Sequence, residues 1–72
     1  MSNIRQEMLE ASIAHFQGNI KKHVMNVELL LRNPVGVAEH PDVMDTIEKE
    51  LAIIAEYDDK LEIIHKYFNN AV

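Results

Sequence analysis

Apolar side chains recur along the first half of the chain in alternating steps of four and three residues, the spacing of one face of an α-helix. The positions are Leu9, Ile13, Phe16, Ile20, Val27 and Leu30, with His23 as the one interruption. Ser2 or Asn3 is placed to cap the helix start, and Pro34 ends the helix because proline disfavours helical backbone at the residue before it. The pattern predicts a helix over about residues 3–32.

Two overlapping stripes with the same spacing run through the second half. One consists of Met44, Ile47, Leu51, Ile54, Asp58, Leu61, His65 and Phe68, and the other of Val43, Ile47, Glu50, Ile54, Tyr57, Leu61, Ile64 and Phe68. Pro41 suits a first helical position, because its fixed φ and missing N–H cost nothing there. We therefore expect a helix over about 41–69, with an apolar face wider than one neighbouring helix can cover.

Both prolines and Gly36 lie in or beside a connection of eight residues, 33–40, between the two helical patterns. A connection of this length lets the chain reverse, so we expect a single all-α domain over 1–72, an antiparallel αα-hairpin. A single core in a chain this short rarely supplies more than about 3–5 kcal/mol of stability. The uncovered apolar stripe therefore predicts that the hairpin dimerises, or assembles further, into a four-helix bundle.

Composition and charge exclude several classes of protein. The chain has 72 residues and no cysteine, which removes disulfides and thiolate metal sites. It has no run near the roughly 20 apolar residues of a membrane span and no apolar secretory signal at its start, so we expect a cytoplasmic protein and no membrane partner. Its net charge of −5 opposes binding to nucleic acid.

Two histidines are placed to meet carboxylates across the hairpin. A reversal near residues 36 and 37 brings together positions whose numbers sum to about 73, which matches His23 with Glu50 and His15 with Asp58. Such pairs fix helix register, because an unpaired charge between helices is costly. A catalytic or metal-binding role is the alternative, although neither pair includes a nucleophile or a full ligand set.

Glu62 and His65 form an E-x-x-H motif on the second helix. In ferritin-like carboxylate proteins this i, i+3 pair supplies two metal ligands, and a glutamate from a neighbouring helix completes the site. The hairpin register places Glu10 or Glu7 near His65, so two hairpins together would offer two copies of Glu10, Glu62 and His65. The alternative is a solvated helix face, since Lys66 follows Glu62 at ion-pair spacing.

Other positions indicate outer helix faces. Three pairs have the i, i+4 spacing of surface ion pairs: Glu28 with Arg32, Asp45 with Lys49, and Glu56 with Lys60. Gly18 lies opposite the stripe of the first helix, where it either permits close approach of a partner or is simply tolerated on an exposed face.

The segment NPVGVAEHPDVMDTIEKELAIIAEYDDKLEIIHKYF, together with the preceding HFQGNIKKHVMNVELLL, resembles small uncharacterised helical proteins encoded by large tailed bacteriophages of marine bacteria. The resemblance covers most of the chain. It implies a viral protein in the cytoplasm of the host cell, and it carries no activity and no site residues.

Three functions are compatible with these observations. The first is a non-enzymatic, oligomeric accessory or protein-interaction module, expected because no nucleophile, base and orienting group occur together. The second is a half-bundle ferritin-like carboxylate protein with a di-metal site for iron or manganese. The third is an acidic decoy that binds a basic host protein surface through Asp42, Asp45, Glu48 and Glu56.

Overall fold

The computed structural model describes residues 3–32 and 42–68, which form two helices packed against each other. Helix α1 spans Ile4–Arg32 and helix α2 spans Val43–Tyr67, and the described residues contain no strand. The two-helix, all-α architecture expected from the hydrophobic pattern is therefore confirmed.

The two helices begin differently. Asn3 caps α1, since its Oδ1 accepts a hydrogen bond of 3.1 Å from the backbone N–H of Gln6. Asp42 precedes α2 without a side-chain cap, and its carbonyl accepts from both the N–H and the hydroxyl of Thr46. Helix α2 thus starts at Val43, two residues after the predicted Pro41. The predicted 33–40 connection, Pro41 and the last predicted helical residue, 69, lie outside the described residues.

Three contacts fix an antiparallel register along the hairpin. Arg5 Nη2 donates to the carbonyl of Phe68 at 2.9 Å, the rings of Phe16 and Tyr57 lie 5.7 Å apart, and His23 contacts Glu50. The two residue numbers of each pair add up to 73, as a reversal of the chain near residues 36 and 37 requires.

The seam between the helices is shallow. The stripe of α1 is half-buried along its whole length, and so is the second of the two α2 stripes up to Leu61. Ile64, 8% exposed, is the one buried side chain among the described residues. The radius of gyration is 16.6 Å, whereas a compact domain of this length would have about 11 Å. Two helices alone therefore leave most apolar side chains partly in water.

Two of the three ion pairs predicted from the i, i+4 spacing form in the structure. Arg32 binds Glu28 at 3.0 Å and Lys49 binds Asp45 at 3.2 Å. The predicted pair of Glu56 with Lys60 is wrong, because the Lys60 amine lies over the rings of Phe16 and Tyr57 instead. Its aliphatic stem thereby covers apolar surface beside the seam.

Candidate functional site

A cluster of three polar side chains interrupts the apolar seam near its middle. His23 and Asn26 come from α1 and Glu50 from α2, and the side chains of His23 and Glu50 are each 14% exposed. The Nδ1 of His23 lies 3.1 Å from both carboxylate oxygens of Glu50. Asn26 donates from its Nδ2 to Glu50 Oε1. We call these three residues the polar cluster.

The surroundings of Glu50 favour its charged form. Hydrogen bonds from Asn26 and then from His23 lower the pKa of Glu50, and the charges of His23 and Lys22 act in the same direction. Partial desolvation opposes them without reversing the shift. Since an ionised carboxylate only accepts hydrogen bonds, His23 donates the Nδ1 proton in this contact.

The His23–Glu50 contact was predicted from the sequence, and Asn26 was missed. Asn26 stands three residues after His23, so both side chains leave the same side of α1. A neutral amide outside the apolar stripe gives no periodicity signal. The sequence did contain one signal: Asn26 lies three residues after His23, where a side chain can reach the same partner.

The structure does not bring His15 and Asp58 together. His15 lies edge-on to Tyr57 with ring centroids 6.4 Å apart, and its Nε2 is 3.3 Å from the amide nitrogen of Asn19. Asp58 is exposed. His15 precedes the facing pair Phe16–Tyr57 on α1, while Asp58 follows it on α2, so the two side chains leave opposite edges of the antiparallel hairpin.

The E-x-x-H residues are displayed on the surface of α2. Glu62 and His65 are exposed, and Glu10 is exposed on α1, where it accepts a hydrogen bond from Gln6 at 3.2 Å. Within residues 3–32 and 42–68 of a single chain, no three His, Asp or Glu side chains are grouped closely enough to hold a metal ion. The metal hypothesis joins two copies of the chain and stays a prediction.

Many large apolar side chains are exposed to solvent. Eleven of them are exposed among the described residues: Ile4, Met8, Val24, Met25, Leu29, Leu31, Met44, Leu51, Ile63, Tyr67 and Phe68. Met44 and Leu51 belong to the first α2 stripe, and their exposure confirms that one neighbouring helix does not cover the whole apolar face.

Open grooves accompany this surface, and apolar side chains make up most of the lining of two of them. One, of about 420 Å³, runs beside α2 between Met44, Ile47 and Leu51. The other, of about 400 Å³, lies at the opposite end of the hairpin between Leu9, Phe16, Lys60, Ile63, Ile64 and Phe68. Lys60 partly covers the second groove through its contact with Phe16.

Comparisons with models of protein families, with curated proteins and with solved structures find no match to this chain. Neither helix in the described part of the chain is long and apolar enough to cross a membrane.

Proposed function

We propose that the chain is a non-enzymatic protein-association module that works as an oligomer, in which two hairpins pack into a four-helix bundle. The observation that carries this proposal is the imbalance in burial. Among the described residues, one side chain is buried and eleven large apolar side chains are exposed. Solitary exposed apolar residues are ordinary, but continuous apolar surface on a soluble helix pair marks an association surface.

The exposed area supports the same proposal. The chain exposes 5807 Å², whereas a compact monomer of 8.3 kDa would expose about 4,600 Å². The excess of roughly 1,200 Å² exceeds the approximately 800 Å² that each partner contributes to a standard stable interface. One hairpin thus has enough spare surface for a second copy.

The polar cluster gives such a bundle a defined register. A slip of one turn along the seam would separate Glu50 from His23 and Asn26 and leave a desolvated carboxylate without partners. A polar group within an otherwise apolar helix interface is the best-attested device for fixing register and oligomeric state. We assign the cluster this structural role, since it has no nucleophile and no third metal ligand.

A viral setting in the host cytoplasm accompanies this proposal and rests on the resemblance of residues 15–68 to phage proteins. No contact among the described residues favours the acidic decoy over self-association.

Thermal unfolding at several protein concentrations tests the proposal. A dimer that unfolds as it dissociates has a midpoint that rises with concentration, because mass action favours the associated state. We expect this rise in circular dichroism melts across a hundredfold dilution series. A single cooperative transition with an unchanged midpoint would contradict the proposal.

A further inference from the structure

Four exposed apolar residues lie along one edge of the hairpin. Val24 directly follows His23, and Leu51 directly follows Glu50, the residues that face each other across the seam. In two antiparallel right-handed helices, the residues that directly follow a facing pair point toward the same edge of the hairpin. Leu31 and Met44 repeat these positions seven residues, or two turns, farther toward the connected ends. We call these four residues the open edge.

The other edge differs at the same level. It carries the polar residues Asn19, Asn26 and Thr46 beside the apolar Leu29, and all three polar side chains make hydrogen bonds within the hairpin. The open edge borders the groove of about 420 Å³ on α2, whose lining includes the apolar residues Met44, Ile47 and Leu51 and the acidic residues Asp45 and Glu48. A branched apolar side chain from another helix fits such a groove as a knob fits a hole.

From this arrangement we infer that a second copy of the chain docks on the open edge in a parallel orientation, with the connected ends of both hairpins at the same end of the bundle. In this dimer α1 of each copy packs antiparallel on α2 of the other. The inference rests on the proposed self-association and specifies its surface and direction.

The distribution of polarity along the edge selects the orientation. Nearer the chain ends, the same edge carries Glu10, Gln17, Asp58 and His65, again at seven-residue intervals. Parallel docking places the apolar halves of the two copies together and the polar halves together. Docking in the opposite direction over the full length would bury the apolar half of each copy against the polar half of the other.

Charge selects the same orientation. Helix α1 has four basic and three acidic side chains, whereas α2 has three basic and seven acidic ones. Parallel docking puts the acidic α2 against the nearly neutral α1 of the second copy. The reversed dimer, including a staggered form that overlaps only the apolar halves, puts α2 against α2 and repels.

The first test compares two leucines on the same helix. Leu31 and Leu29 are 59% and 61% exposed, but only Leu31 belongs to the open edge. We expect Leu31→Glu to raise the dimer dissociation constant by at least about tenfold, because it brings a charge into the interface, and Leu29→Glu to change it less than about twofold. Equal effects, measured by sedimentation equilibrium, would overturn the choice of edge.

The second test measures orientation and keeps the wild-type interface. The chain has no cysteine, so Ile4→Cys carries one spin label at the free end of α1, away from the open edge. Parallel docking holds the two labels within about 30 Å, set by the bundle width. A reversed dimer separates them by at least about 40 Å, nearly the length of the 29-residue α1.

The outcomes separate the two proposals. A label distance beyond 40 Å by double electron–electron resonance refutes the parallel orientation and leaves self-association intact. A wild-type chain that stays monomeric refutes self-association itself, and the docking inference falls with it.

Discussion

Replacing Ile64 by alanine tests which face of α2 packs on α1. Ile64 is 8% exposed, and the adjacent Ile63 is 40% exposed on the same turn, so Ile63→Ala is a matched control. The change removes three carbon atoms, each worth about 0.8 kcal/mol when buried. Alanine's higher helix propensity returns a few tenths of a kcal/mol at both positions.

We therefore expect Ile64→Ala to lower the free energy of unfolding by about 2 kcal/mol and Ile63→Ala by about 1 kcal/mol or less. The cost for Ile64 stays at the low end of the usual range because the groove beside it is open, so no sealed cavity forms. In a domain of this size each kcal/mol shifts the melting temperature by about 4–8 °C.

The assay is urea and thermal denaturation followed by circular dichroism, with all proteins at one concentration so that association affects them equally. Equal losses for the two variants, or a larger loss for Ile63→Ala, would refute the assignment of Ile64 to the seam. The antiparallel register, which places Leu9 opposite Ile64, would then be wrong as well.

Three further predictions follow from single features. Hydrogen bonds lower the folded pKa of Glu50, so its ionised form stabilises the protein fully above the ordinary value of 4.5, and this contribution is lost as pH falls through the lower folded value. Glu50→Gln should therefore lose stability at pH 7 and lose less of it at pH 3. An equal loss at both pH values, or the same loss in the exposed control Glu48→Gln, would argue against the role of the Glu50 charge. Gly18→Ala should raise stability by about 1 kcal/mol, because nothing lies within 4 Å of an added Cβ; a weaker dimer would place an interface on that face. Chain purified without chelator and loaded anaerobically with iron or manganese should retain no metal by elemental analysis, and retention that Glu62→Ala abolishes would revive the ferritin-like hypothesis.

The sequence predicted the register of the hairpin well because two independent signals agreed. The prolines placed the reversal near residues 36 and 37, and the interruptions at His23 and Glu50 then fell at one level. A polar residue inside an apolar stripe must find a partner, so this contact could be identified without a structure.

The sequence predicted side-chain direction less well. His15 and Asp58 share a level but leave opposite edges, a distinction that a sum of residue numbers does not contain. Lys60 has an acid four residues away, yet it lies over Phe16 and Tyr57, because the seam brings two rings to the same place. Contacts made by tertiary packing overrode a local spacing rule that is worth only a few tenths of a kcal/mol.

Self-association is the central claim, and sedimentation equilibrium of the unmodified chain tests it most directly. We predict that at micromolar concentrations the mass approaches twice the 8.3 kDa of one chain and falls toward the monomer on dilution. The physical reason is that the described residues bury one side chain and expose eleven large apolar ones, which a second copy would cover. A mass that stays at 8.3 kDa over the whole range, for a chain that remains helical and unfolds cooperatively, would contradict the account.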